Sequence, residues 1–352
     1  MNEPERKEAA RASVVAQFAC LEGARQAPQL SVVVKCYNEQ DRIAACLDSI
    51  LAATRERDAE IIVADALSSD GTVDIARRYP VRIVQMVHPE DRGCGATAQM
   101  GQQFARGELL LLIDSDMELL PDFLPHALTA MVDDPRLACV GGLHVQMSSA
   151  VEFQDRLRGL AKYTKPTAAK RLGGSALYRT AAIRDVGYFM NRNLYCSEEL
   201  ELGQRLRARG WRLKYLPINA VKHYGYEIST VTLLRRRWKS RYLDGYGQLL
   251  RRSWSGPFFR ETLGVCRVHL LVIAWWCVLA ALTFADVIGI SGFLPLSAVA
   301  LLPVIAIGVR KRNLERASYT FLLWQFQAAA LVRGLSRRQR DPAEPVRSVI
   351  IA

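Results

Sequence analysis

Apolar runs alternate with amphipathic segments through the first third of the chain. Four apolar runs predict buried strands, at residues 31–38, 60–66, 81–87 and 109–113. The segments between them carry apolar residues at helical spacing, at residues 39–54, 69–79 and 93–107. This alternation predicts an α/β domain with a mostly parallel sheet covered by helices on both faces. Such sheets bind their ligands at the carboxyl ends of the strands.

The fourth strand runs directly into Asp114-Ser115-Asp116. Its five consecutive apolar residues indicate burial on both faces, so the two carboxylates lie at the mouth of the sheet. Carboxylates at this spacing suit Mg²⁺ or Mn²⁺, which take one or two protein carboxylates and complete their shell with substrate phosphates and water. A solvated turn is the alternative explanation. The other strand ends favour the cation site, because Asp65 ends the second strand and Asn38-Glu39 ends the first.

Long apolar segments replace this pattern near residue 263. Residues 269–290 are long enough to cross a bilayer, and residues 293–309 have about the minimum length. Arg267 precedes the pair and Arg310-Lys311-Arg312 follows it. A transmembrane hairpin over 263–312 would therefore leave both positive ends and the N-terminal domain in the cytoplasm. A buried helical hairpin in a soluble protein has the same pattern.

The two ends of the chain complete the predicted organisation. Residues 1–29 are charged and Ala-rich, and they lack the apolar core of a signal peptide. Residues 319–332 form a shorter apolar segment, and a third crossing there would place the arginines of 333–340 outside the cell. We therefore predict an interfacial helix and a basic cytoplasmic tail over 313–352. The eight cysteines are scattered without a C-x-x-C pair, which favours reduced thiols and disfavours a zinc site.

The charge balance adds a membrane surface to this picture. The chain has 47 Lys and Arg against 35 Asp and Glu, a formal net charge of +12, which indicates a polyanionic partner. The excess is concentrated in residues 229–262, where tryptophans and tyrosines are interleaved with the cations. Beside membrane spans, this composition favours amphipathic helices at the headgroups of an anionic leaflet over a nucleic-acid patch. The residues expected to face the membrane or its acceptor are Arg235, Arg236, Arg237 and Trp238.

Five blocks in this order resemble the family 2 glycosyltransferases of the GT-A fold: SVVVKCYNEQDRIAACLDSI, EIIVADALSSDGT, GCGATAQMGQQFARGELLLLIDSDM, RLGGSALYRTAAIRDVGYF and SEELELGQRLRARGW. The resemblance covers about residues 30–225, and we place the transferase domain at 30–228. It implies an inverting transfer of a sugar from a nucleoside-diphosphate sugar to an acceptor hydroxyl.

The resemblance also implies roles for single residues. Asp65 would bind the base, Asp114 would face the ribose, and Asp116 would bind the cation and diphosphate, with His223 as a second cation ligand. A lone histidine is more often structural. Lys35 departs from the pattern, because proline is commonest there. The nucleotide-sugar-binding residues implied in this way are Cys36, Tyr37, Asn38, Glu39, Asp65, Asp114, Ser115, Gly173 and Gly174.

An inverting displacement also needs a base on the face opposite the leaving group. Glu198, Glu199 and Glu201 begin a predicted helix that Gly210 ends. The family usually has Glu-Asp at the first two of these positions, which implies Glu199 as the base and Glu198 as its neighbour. Acidic residues are favoured at any helix N-terminus, so the cluster alone does not identify a base. Glu201 lies about half a turn from Glu199, and we expect it to be structural.

These features predict a metal-dependent, inverting transferase on the cytoplasmic face of a bacterial inner membrane, with a polyprenyl-linked acceptor in polysaccharide or glycolipid biosynthesis. A processive polysaccharide synthase is one alternative, because Arg237-Trp238 resembles the Arg-Trp pair of those enzymes; a polyprenyl-phosphate glycosyltransferase is another. A nucleotidyltransferase shares the carboxylate–metal chemistry but would have a Gly-rich basic loop after its first strand. A non-catalytic scaffold would release neither nucleoside diphosphate nor pyrophosphate.

Overall fold

The computed structural model of the chain describes residues 28–147, 164–225, 228–287, 305, 307, 308 and 314–352. The strands are β1 (Leu30–Cys36), β2 (Ala59–Asp65), β3 (Arg82–Met86), β4 (Leu109–Asp114), β5 (Met117–Leu119), β6 (Leu137–Gln146), β7 (Thr167–Ala168), β8 (Ala176–Arg179), β9 (Arg212–His223) and β10 (Ser348–Ile350). The helices are α1 (Ile43–Thr54), α2 (Thr72–Ala76), α3 (Cys94–Gln102), α4 (Phe123–Asp133), α5 (Thr180–Asp185), α6 (Glu198–Ala208), α7 (Thr230–Lys239), α8 (Gly245–Ser253), α9 (Phe259–Val287) and α10 (Leu314–Ser336).

The strands form one mixed sheet in the order β10-β3-β2-β1-β4-β8-β6-β9-β5, with β7 paired to β9. Strands β3, β2, β1 and β4 are parallel, which confirms the arrangement predicted from the alternating pattern. Strand β8 then runs antiparallel to both β4 and β6, so the second half of the sheet is mixed. The carboxyl ends of β1, β2 and β4 therefore meet at one edge of the sheet.

The central strands are buried on both faces because helices cover both sides of the sheet. Successive residues of β1 alternate between two core clusters: Val32 and Val34 pack on the side of Leu47, whereas Val33 packs on the side of Met100. All three valines have no exposed surface. This two-sided burial explains why the strands read as continuous apolar runs rather than as alternating ones.

The apolar C-terminal part begins with one long helix. The first 27 residues of α9, Phe259–Ala285, are long and apolar enough to cross a membrane. Only 11% of their most apolar 18-residue stretch is buried. The Trp276 indole donates a hydrogen bond to Gln325 of α10 (2.8 Å), and α10 leads back toward the sheet. The predicted return segment 293–309 lies outside the described residues except for 305, 307 and 308.

Residues 337–352, expected as part of a basic cytoplasmic tail, return to the sheet. There β10 pairs antiparallel with β3 at the edge of the sheet. The Val346 side chain is only 1% exposed and belongs to the same core cluster as Met86. A strand of three residues has too little periodicity to be recognised from sequence. Its partner strand is also remote in the chain, so no local pattern indicates the pairing.

Candidate active site

The first-strand turn and the loop after β2 form one hydrogen-bonded unit. Asn38 has a left-handed backbone (φ 54°). Its N–H donates to Ser68 Oγ (2.8 Å), while its side-chain oxygen accepts from the Ser69 N–H (2.8 Å). The Glu39 N–H donates to Thr72 Oγ1 (2.8 Å). These contacts order the loops at the carboxyl ends of β1 and β2, where the nucleotide is expected.

Cys36 and Asp65, both implied to bind the nucleotide, have buried side chains. The Cys36 thiol lies in the core, and burial raises its pKa, so the thiol stays neutral. The Asp65 carboxylate has no exposed surface. It accepts hydrogen bonds from the Ser68 N–H (3.0 Å), the Ser68 hydroxyl (2.5 Å) and the Gln85 amide (2.8 Å). In this arrangement Asp65 orders the loop after β2, and its contact with a base stays a prediction.

Arg92 lies beside the turn where the nucleotide is expected, although sequence reasoning did not single it out. Its guanidinium donates to the carbonyls of Ala66 and Leu67 (both 3.0 Å). It also lies 4.9 Å from the ring centroid of Tyr37, whose side chain is 39% exposed. An isolated arginine before Gly93 carries no motif, so only the folded arrangement reveals these contacts.

The two aspartates of Asp114-Ser115-Asp116 are partly exposed, whereas Ser115 is buried and donates its N–H to the Lys35 carbonyl (3.0 Å). Pairing of β5 with β9 brings His223 to Asp116, and the two side chains approach within 3.2 Å. The other ring nitrogen of His223 lies 2.7 Å from the Gln146 side-chain oxygen. Burial alone would raise the pKa of Asp116, but the hydrogen bond and charge of His223 hold it below its usual value.

Asp116 and His223 place a carboxylate oxygen and an imidazole nitrogen 3.2 Å apart. Both are common ligands of divalent cations. Within the ranges that the structure describes, no three His, Cys, Asp or Glu side chains converge into a complete metal cage. One carboxylate and one imidazole therefore fit a cation that takes its remaining ligands from water and a diphosphate.

The glycine pair lies against these acids. A Cβ on Gly174 would clash with an Asp114 carboxylate oxygen, so a side chain there would have to displace that carboxylate. A Cβ on Gly173 would come within 3.2 Å of His144. His144 in turn lies 2.8 Å from the Ser175 hydroxyl, and its ring centroid is 6.3 Å from that of His223. Sequence reasoning did not single out His144, because only the pairing of β6 with β9 brings the two histidines together.

Lys35 connects the Asp114 side of the site to the acids of α6. Its ammonium nitrogen lies 2.8 Å from an Asp114 oxygen and 3.9 Å from a Glu198 oxygen. Burial alone would lower the pKa of Lys35, but the charges of Asp114 and Glu198 outweigh burial and raise it well above its usual value. Lys35 is therefore a charged residue between two acids, and proline at this position would lack the charge.

The two acids implied as base and neighbour have different surroundings. Glu198 is 4% exposed, and burial, reinforced by the charge of Glu199, raises its pKa to about 8. Glu199 is partly exposed. The helix that carries them begins after Ser197, which has a left-handed backbone (φ 65°). Glu199 is therefore the more accessible of the two acids.

Glu201 has the structural role expected of it. Its carboxylate accepts hydrogen bonds from Arg205 (3.0 Å) and from the Tyr188 hydroxyl (2.5 Å). The Arg205 guanidinium also donates to the carbonyl of Tyr188 (2.6 Å). Glu201 thus fastens α6 to the segment that precedes it.

The four residues expected at the membrane or its acceptor lie on α7. Arg235 and Arg236 are exposed, whereas Arg237 lies over the Tyr242 ring at 5.2 Å. The Trp238 ring packs against Phe326 of α10 (5.5 Å between centroids), with the Arg333 guanidinium 3.9 Å from its centroid. The arginines therefore provide the accessible charge, while Trp238 joins α7 to α10.

Residues 31–194 match the family model described as Glycosyl transferase family 2. The chain is 33% identical over 132 residues to the putative glycosyltransferase EpsH of Bacillus subtilis (strain 168), an alignment that covers 37% of this chain and 36% of that protein. It is 24% identical over 201 residues to the poly-beta-1,6-N-acetyl-D-glucosamine synthase of Staphylococcus aureus (strain MSSA476), covering 54% and 48%. The chain thus matches about a third to a half of the length of these relatives.

The fold is also similar to a solved structure, the mannosyltransferase PcManGT from Pyrobaculum calidifontis in complex with GDP-Man and Mn²⁺. The TM-score is 0.61 at 21% identity, and the alignment covers 94% of this chain and 99% of that one. This likeness supports the GT-A fold that the order of the strands indicates.

Proposed function

Because the chain belongs, through residues 31–194, to the family 2 glycosyltransferases, we propose that it transfers a sugar from a nucleoside-diphosphate sugar to a membrane-associated acceptor, with inversion and with a divalent cation. The observation that carries the proposal is the meeting of two acidic groups at one edge of the sheet. Asp114 ends β4 and Asp116 follows it, while Glu198 and Glu199 begin α6. Lys35 lies between the two groups.

The donor would lie across the ends of β1 and β4. The ordered turn at Asn38 and the exposed Tyr37 ring supply contacts for the nucleoside, and Asp114 faces the ribose. Asp116 and His223 would hold the cation, which neutralises the charge that develops on the leaving diphosphate. Gly173 and Gly174 allow the donor sugar to approach the backbone closely.

Glu199 would remove the proton from the acceptor hydroxyl as the new bond forms. It is the accessible acid at the start of α6, whereas Glu198 faces the interior beside Lys35. The positive charge of Lys35 stabilises the ionised acids around it. A base in this position acts from the side opposite the leaving group, which inversion requires.

A lipid-linked acceptor is supported by the exposed apolar surface of α9 and the exposed charge of α7. Helix α9 exposes Leu271 and Phe284 to 68% and 66%, which suits contact with lipid chains. Arg235 and Arg236 are exposed on α7, which packs on α10 through Trp238. An acceptor whose reactive end lies at the headgroups would thus meet cationic residues next to the transferase domain.

The proposal is tested with detergent-purified full-length protein and a panel of nucleotide sugars, each with Mg²⁺, with Mn²⁺ or with a chelator. Donor consumption and the released nucleotide are followed by mass spectrometry. We expect one donor to yield nucleoside diphosphate only when the cation is present. Release of pyrophosphate would instead indicate a nucleotidyltransferase, and no consumption of any donor would contradict the proposal.

A further inference from the structure

Residues 337–352, which we name the C-terminal strap, are fastened to the catalytic domain at several points. Strand β10 extends the sheet beside β3. Before it, Gln103 bonds both backbone groups of Val346: its amide donates to the carbonyl (3.1 Å) and its oxygen accepts from the N–H (2.8 Å). With the Val346 side chain in the core, these contacts define one position for the strap.

The strap also holds the segment that leads to the acids of α6. Asn193 and Arg340 are joined twice: the Asn193 amide donates to the Arg340 carbonyl (2.9 Å), and the Arg340 N–H donates to the Asn193 oxygen (2.8 Å). The neighbouring Arg192 donates to the carbonyls of Glu344 and Pro345 (3.1 and 3.0 Å). Residues 192 and 193 are therefore bound directly by the strap.

A buried charge pair strengthens this connection. One oxygen of Asp91 accepts from both Arg192 (3.0 Å) and Arg340 (2.7 Å). The side chains of Asp91 and Arg192 are only 4% and 3% exposed, so water contributes little to their stabilisation. Loss of the Arg340 charge would leave a buried carboxylate with a single cationic partner, which is costly in a low-dielectric environment.

The held segment is short and ends at the acids. The Leu194 carbonyl accepts from the N–H of Gly95 in α3 (3.1 Å), so the segment also packs on the catalytic core. Ser197, with its left-handed backbone, then starts α6 at Glu198 and Glu199. Asn193 lies six residues before Glu199 in the chain, so a displacement at Asn193 is transmitted to Glu199 through Ser197.

We propose that the C-terminal strap is a positioning element for Glu198 and Glu199, acting through Arg192 and Asn193. The proposal rests on the proposed function, because it takes these acids as part of the transfer site. Since the strap follows α10, the site is complete only when the chain has returned from its apolar segments to the catalytic domain.

The test uses full-length variants that loosen the strap at two separate contacts. Arg340→Gln removes the bond to Asp91, and Gln103→Leu removes both bonds to Val346. The matched control is Arg347→Gln, which removes the same charge from an exposed strap side chain that does not pair with Asp91. Misplacing a reacting group by about 1 Å can cost about a hundredfold, so partial loosening should lower kcat by about tenfold.

The expected results distinguish a loss of positioning from a loss of stability alone. Both Arg340→Gln and Gln103→Leu should lower kcat with donor affinity unchanged within about twofold, and Arg340→Lys should recover part of the loss. Hydrogen exchange of residues 191–199 should quicken in both variants, while that of α1 stays as in the wild type. Arg347→Gln should change neither quantity.

The proposal is overturned if the two variants melt at a lower temperature but keep the wild-type kcat per folded molecule and the wild-type exchange at 191–199. Failure of the proposed function has a different signature. If the wild-type protein consumed no nucleotide sugar, the transferase assignment would fail, while the exchange measurement would still decide whether the strap holds this segment.

Discussion

The ammonium group of Lys35 interacts electrostatically with four acidic side chains, those of Asp114, Asp116, Glu198 and Glu199. Such a cluster of acids would repel itself without a cation. Lys35 provides one fixed positive charge, and His223 lies beside Asp116. A bound divalent cation would add the charge that the diphosphate of the donor requires.

In the proposed site, Asp116 is the residue on which cation binding would depend most. Asp116→Asn keeps the shape of the side chain but removes one metal-facing charge. We expect turnover to fall about a hundredfold or more, because a loss of about 1.4 kcal/mol in transition-state stabilisation already costs tenfold. Activity would be measured against cation concentration. Asp122→Asn, at an exposed carboxylate before α4, is the control, and undiminished activity of Asp116→Asn would refute the assignment.

Glu199 and Glu198 are separated by a pair of matched variants. Glu199→Gln should slow transfer by about 10²- to 10⁴-fold while donor affinity is kept, since a positioned base contributes about that much. Glu198→Gln should have the smaller effect on transfer, because its side chain is buried. Single-turnover kinetics and equilibrium donor binding measure the two effects. The opposite order would move the base to Glu198.

The raised pKa of Glu198, about 8, also predicts how stability depends on pH. In the unfolded chain the Glu198 carboxyl loses its proton at about pH 4.3, whereas in the folded chain it keeps the proton up to about pH 8. This contribution to stability is complete at low pH and is lost as the pH rises through about 8. The wild type should therefore lose thermal stability relative to Glu198→Gln as the pH rises from about 5 to about 9. A difference independent of pH would show that Glu198 is ionised throughout.

Among the helices, α7 carries the exposed charge that we propose for acceptor binding. Each cation near an anionic surface contributes about 1 kcal/mol, so reversing Arg235 and Arg236 together should raise KM for a lipid-linked acceptor in anionic vesicles by about tenfold or more. Donor KM should stay unchanged, and the effect should shrink in high salt. Arg55→Glu with Arg57→Glu reverses two exposed charges elsewhere and serves as the control. Equal effects of the two double variants would remove α7 from acceptor binding.

The regular elements were predictable, whereas several site contacts were not. Strands β1 to β4 and the acids at their ends follow from apolar runs and short motifs, because both signals are local. The bonds from Lys35 to Glu198 and from Arg340 to Asp91 join residues far apart in the chain. Their partners are selected by packing, and no spacing in the sequence records such pairs. The sequence likewise did not indicate that the Glu198 side chain is buried and the Glu199 side chain accessible.

The described contacts at the two ends of the apolar region restrict any path that this region takes through a membrane. Helix α9 begins beside the catalytic domain, where Arg207 pairs with Glu261 (2.9 Å). Helix α10 ends there too, with Arg333 bonded to Asp244 (2.8 Å). Any crossings between these two points must therefore be even in number, so that β10 can join β3. This supports our proposal that the termini of the apolar region share one side of the bilayer.

We propose that donor cleavage and acceptor glycosylation occur together at one membrane-associated site. The direct test adds the consumed nucleotide sugar to full-length protein in anionic vesicles that contain a polyprenyl-linked acceptor. Released nucleoside diphosphate and glycosylated lipid are then quantified in the same sample. We predict equal amounts of the two, with both lost in Asp116→Asn and Glu199→Gln. Nucleoside diphosphate released without any glycosylated lipid, or an unchanged yield in both variants, would contradict transfer to a lipid acceptor at this site.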